Sequence, residues 1–132
     1  MGLALCDKSG KARAGLAVAD KGPTALALAD ESYTPRAQVV VGEGVASVQL
    51  LSAKGAVPQA MLMVRDDVWP VLRLMDGKGE DRAILSLLPN GFVGLTFVDE
   101  KGESRAIVSL LPDGEAGLAF YWEKRRVLWS AP

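Results

Sequence analysis

A chain of 132 residues and 14.0 kDa is the size of one domain, and residues 1–132 are expected to fold as a single unit. Its net charge of −1, with acids and bases scattered along the chain, excludes a nucleic-acid groove, which needs clustered Lys and Arg. A single cysteine, Cys6, excludes an intramolecular disulfide framework, and the absence of His removes Ser-His and Cys-His nucleophile pairs and His-ligated metal sites.

The first predicted strand carries the alternating pair Leu3/Leu5, and a turn at Asp7–Gly10 follows. A second strand runs through Arg13-Ala14 to Leu16/Val18. The pattern then restarts with Leu26/Leu28, Asp30, Arg36-Ala37 and Val39/Val41. A divergent third copy, about residues 48–70, has Val48/Leu50, Gln59-Ala60 and Leu62/Val64. Two regular copies follow: Leu72/Leu74, Asp76–Gly79, Arg82-Ala83, Leu85/Leu87, then Leu95/Phe97, Asp99–Gly102, Arg105-Ala106, Val108/Leu110. Leu118/Phe120 opens a sixth copy, whose residues 118–132 are expected to act as a C-terminal cap.

Positions 13, 36, 59, 82 and 105 lie 23 apart, a fixed period that marks a repeat architecture. Period-two alternation of Leu, Val, Ile and Phe reads as strand, and Gly or Pro about every ten residues breaks any helix. The expected fold is all-β: six tandem two-strand repeats, about twelve short strands, in an antiparallel hairpin meander bent into a prism- or barrel-like body, with a β-solenoid as the alternative.

Both linkers read as three-residue hairpin loops, a type I turn closed by Gly. In "D-x-x-G" the Asp side chain caps its own turn; in "P-N-G" and "P-D-G" the Pro presets the first corner. These loops create a parity conflict. The Pro89–Gly91 loop keeps Leu85, Leu87, Val93 and Leu95 on one face, but the same loop at Asp76–Gly79 turns Leu74 away from Leu85. A longer "D-x-x-G" loop, or a bend into another sheet, are the two ways out.

Asp and Arg recur six apart at Asp7/Arg13, Asp30/Arg36, Asp76/Arg82 and Asp99/Arg105, and both are lost from the third copy, where Ser52 and Gln59 stand. That joint loss predicts a structural ladder of charges paired across the turns. Arg65, Asp66, Asp67 and Trp69 replace a tight Gly turn in the third copy, and Tyr121, Trp122 and Trp129 concentrate aromatics near the C-terminus. These seven are the candidate interaction residues; the first group suits a sugar or small polar ligand, the second a cap or a partner protein.

No catalytic, cofactor-binding or metal-binding residue is assigned. Neither a phosphate-cradling Gly loop nor a nucleophile elbow occurs, and the adjacent carboxylates of Asp66 and Asp67 would point to opposite faces of a strand. No transmembrane segment is expected, since apolar runs stop far short of about 18 residues. The expected compartment is the cytoplasm by default, with the cell envelope open to a chain relieved of a leader or anchor.

The unit L-x-L-x-D-x-x-G-x-x-R-A-x-L-x-L, carried by Leu72–Leu88, Leu95–Leu111 and Leu3–Val18, resembles one that recurs in tandem in bacterial proteins of unassigned function. There it often follows a membrane anchor or coiled coil. The resemblance implies a repeat scaffold and no catalytic residues. The unit differs from the tyrosine-aspartate repeats of secreted toxins, whose Tyr-based core is missing here. A non-enzymatic structural or protein-interaction scaffold that self-associates through sheet faces or edges is the leading expectation. A barrel or prism binding a small ligand or carbohydrate is the alternative.

Overall fold

The computed structural model of the chain describes residues 1–54, 57–66, 68–122 and 127–131. Twelve strands succeed one another: β1 (Gly2–Cys6), β2 (Ala12–Val18), β3 (Thr24–Ala29), β4 (Pro35–Gly42), β5 (Val45–Leu51) and β6 (Pro58–Arg65). Then follow β7 (Val68–Met75), β8 (Asp81–Leu87), β9 (Val93–Val98), β10 (Ser104–Leu110), β11 (Ala116–Tyr121) and β12 (Val127–Ala131). All twelve join one sheet in sequence order, each pairing with its predecessor, and every pairing is antiparallel.

The fold is therefore the all-β hairpin meander read from the sequence. The barrel-like body is corrected: the sheet is open and does not close on itself. With it goes the enclosed interior that a small-ligand barrel requires.

Loop chemistry explains the hairpins. The Asp76 amide donates to Glu80 O at 2.9 Å and the Gly79 amide to Asp76 O at 3.0 Å. The Leu88 amide donates to Phe92 O at 2.8 Å and the Gly91 amide to Leu88 O at 2.9 Å. Both linkers thus form the same three-residue loop, closed by Gly79 at φ +87° and Gly91 at φ +86°, a conformation that side chains with a Cβ disfavour.

The parity conflict is resolved by neither expected route. Leu74 pairs with Ala83 and Met75 with Asp81, so Arg82 is an extra residue on its strand. This β-bulge, one step beyond the loop, restores the face that the loop would have flipped. The same insertion falls at Arg13, Arg36, Gln59 and Arg105. The Arg of the Arg-Ala marker is the bulge residue, and the Ala is the first residue back in register.

One layer of strands leaves little to bury. Leu51, at 6% exposure, and Ser47, at 8%, are the buried large apolar and polar side chains among the described residues. The accessible surface is 9228 Å², exceeding the roughly 6,700 Å² of a compact monomer of this mass by roughly 2,500 Å². The surplus reflects two open sheet faces.

Candidate functional site

Restored parity puts the alternating Leu and Val positions of β1 to β11 on one face, while Val40 and Val71 fall on the other. Its central row runs from Leu3 in β1 to Leu118 in β11, and every residue in that row is Leu or Val. A second row alternates. The odd strands contribute Leu5, Leu28, Leu50, Leu74, Phe97 and Phe120; the even strands β2 to β10 contribute Ala14, Ala37, Ala60, Ala83 and Ala106. The large members are 41% to 61% exposed, and the alanines between them are half-buried. In the third row the size order inverts: Val18, Val41, Val64, Leu87 and Leu110 lie on even strands, and Thr24, Ala46, Val93 and Ala116 on odd ones. With strands about 4.8 Å apart, ridges and troughs repeat about every 9.6 Å in a checkerboard.

The opposite face is mixed. Gln38, Gln49, Thr96, Ser86 and Ser109 alternate there with Met61, Met63, Ile84 and Ile107. It also carries an ion pair, with Arg73 Nε 2.8 Å from Asp81 Oδ1 and Arg73 Nη2 2.7 Å from Asp81 Oδ2. Hydrogen-bonding groups of this kind tolerate water; the first two rows of the Leu/Val face offer none from β1 to β11, and Thr24 carries one in the third.

The charge ladder lies along the rim formed by the "D-x-x-G" loops. Arg36 Nη1 donates to Asp30 Oδ2 at 3.2 Å, Arg82 Nη2 to Asp76 Oδ2 at 2.6 Å, and Arg105 Nε to Asp99 Oδ2 at 2.7 Å. The first hairpin is built differently. Arg13 Nε donates to Ala29 O at 3.2 Å, and Asp7 Oδ2 accepts from the Tyr33 hydroxyl at 2.8 Å.

These bonds, together with those from neighbouring loop amides and hydroxyls, hold the carboxyls in their charged form. The Ser9 hydroxyl, then the Tyr33 hydroxyl, bring Asp7 down to about 2. The Glu103 amide, followed by the Arg105 guanidinium, brings Asp99 to about 2 against a partial desolvation that works the other way. Asp76 is lowered chiefly by the Lys78 amide. Around Asp30 desolvation is the largest influence and acts upward, but the Thr34 amide, Arg36 and the Ser32 amide together outweigh it.

Tyr33 was not singled out from the sequence. It stands at φ +63°, in the place that Gly10, Gly79 and Gly102 hold in their own loops, and its ring lies 4.3 Å from the Lys11 ammonium. It ties the first hairpin to the second. The signal was a Tyr in a slot whose other occupants are glycine.

Arg65 and Asp66 line a shallow, open depression with Glu43, Gly44, Val45 and Met63, and the Asp66 amide donates to Gly44 O at 3.0 Å. Trp69 lies on β7, is 43% exposed, and is not among the residues lining that depression. Asp67 lies outside the described residues. At the other end Tyr121 pairs with Val127, while Trp129 pairs with Phe120 across the apolar face, their rings 5.9 Å apart. Trp122 follows β11 and is largely exposed. The three C-terminal aromatics thus occupy the end of the sheet, and only Trp129 belongs to the alternating row.

No family model and no curated protein matches the chain. Among the described residues no helix is long and apolar enough to cross a membrane. The functional reading therefore rests on the two faces and the rim.

Proposed function

We propose that this chain is a non-enzymatic structural or protein-interaction scaffold that self-associates through the Leu/Val face of its sheet. The observation that carries the reading is the continuity of that face: eleven strands, from Leu3 to Leu118, without one polar side chain in the central row. An apolar patch of a few hundred Å² is ordinary on a monomer. Twelve strands about 4.8 Å apart, each with about five paired residues, span roughly 58 Å by 17 Å, or about 1,000 Å². Stable interfaces bury about 800 Å² per partner.

A second copy suits this face better than a lipid bilayer does. The strands are five to eight residues long, whereas a strand crossing the hydrocarbon core needs about 9–11. The absence of His removes the commonest general base, and Asp30, Asp76 and Asp99 on the rim are held by Arg36, Arg82 and Arg105, which supports a non-catalytic role. The test is the mass of the purified chain by size-exclusion chromatography with light scattering, from low to high micromolar concentration. A mass of two copies or more is expected; a strict monomer throughout removes the reading.

A further inference from the structure

The checkerboard on the apolar face determines how a second copy can seat there, and this inference rests on the self-association reading above. Two sheets packed face to face stand about 10 Å apart with their strands roughly aligned, and their side chains must interdigitate. Ridge on ridge would hold them apart and leave voids. We propose that two copies interlock about a two-fold axis parallel to the strands between β6 and β7, each seating its Leu and Phe ridges in the alanine troughs of the other.

The choice of axis follows from counting strands. A rotation about that axis lays β5 of one copy over β8 of the other, and β3 over β10, so odd strands always meet even ones. Leu50 then faces Ala83 of the second copy, and Leu28 faces Ala106; from β2 to β11 the large side chains of this row meet the alanines, and at the sheet edges Leu5 meets Trp129. The inverted third row fits the same operation, because Leu87 comes to face Ala46. The competing two-fold, perpendicular to the strands, lays each strand on its own copy. It sets Ala83 against Leu87 but presses Phe97 onto Val93, a bulkier encounter than that of Val93 with Val41 under the first axis. An even number of strands lets the first axis overlay the whole sheet, with the large-on-small fit running from β2 to β11, and a two-fold interface is closed, so assembly through this face stops at two.

The experiment is hole-filling with rescue, read by sedimentation equilibrium. Ala83→Leu is expected to weaken association about tenfold or more, because the trough is then full when the partner's ridge arrives. Adding Leu50→Ala in the same chain is expected to restore most of that loss. Within one chain Ala83 and Leu50 lie three strands apart, about 14 Å, so rescue must act between copies. Ala83→Val serves as the milder filling if Ala83→Leu weakens the β-sheet circular dichroism. Rescue by Leu87→Ala in place of Leu50→Ala would overturn the axis. Undiminished association of Ala83→Leu would overturn the interlock while leaving self-association standing, since the wild-type mass tests that separately.

Discussion

Leu62 lies in β6 at the middle of the apolar face, 50% exposed in the single copy, paired with Val48 on one side and Leu72 on the other. Replacing it by Asp separates the stability of the sheet from its association. Within one chain the side chain stands half in water, and exchanging a strand-favouring residue for a poor one costs about 1 kcal/mol or less. Within a face-to-face pair the accessible half, about 80 Å², would be covered, at about 25 cal/mol per Å² or about 2 kcal/mol. Each pair has two such sites, so about 4 kcal/mol is lost, equivalent to roughly a thousandfold in the dissociation constant. A carboxylate forced into that interface adds to the loss. Sedimentation equilibrium over a wide concentration range measures the constant, and circular dichroism shows that the strands persist. Gln38→Asp, on the opposite face of β4, is the control and is expected to leave association within a few-fold. The reasoning is refuted if Leu62→Asp associates like the wild type, or if Gln38→Asp is the variant that dissociates.

Acid should weaken the rim. Asp7 and Asp99 titrate at about 2, below their ordinary 3.8, so the stabilisation is complete above about 4 and is lost as pH falls from there through 2. Denaturant midpoints are expected to fall across that window for the wild type, and less steeply for a chain carrying Asp7→Asn and Asp99→Asn. Gly114 sits at φ +90° with nothing within 4 Å of an added Cβ, so Gly114→Ala meets only backbone strain and should cost about 1 kcal/mol by urea denaturation. At Gly94 the backbone angle is ordinary but an added Cβ would lie 2.6 Å from the Phe92 ring. Gly94→Ala should therefore be rescued by Phe92→Ala, and Gly114→Ala should not.

What could be read from the residues alone was whatever neighbours along the chain decide. Strand and turn follow from alternation and from Asp, Pro and Gly at fixed places, because a three-residue loop is closed by hydrogen bonds within five consecutive residues. The candidate interface was half legible: its Leu and Val positions were evident, but their common face was not. The face depends on Arg82 and its counterparts slipping out of register, and a bulge belongs to two strands at once, since the residues opposite it decide which one is left over. The Arg-Ala pair was visible as a repeat marker. Its meaning, a bulge followed by the floor of a trough, required the partner strand. Tyr33 likewise acts across hairpins, joining groups 26 residues apart at Asp7. Openness of the sheet was the least legible property, because closure turns on the summed twist and register of twelve strands, and a slip at any one of them changes the outcome. Local chemistry made the hairpins; only their pairing left one apolar side exposed across the whole sheet.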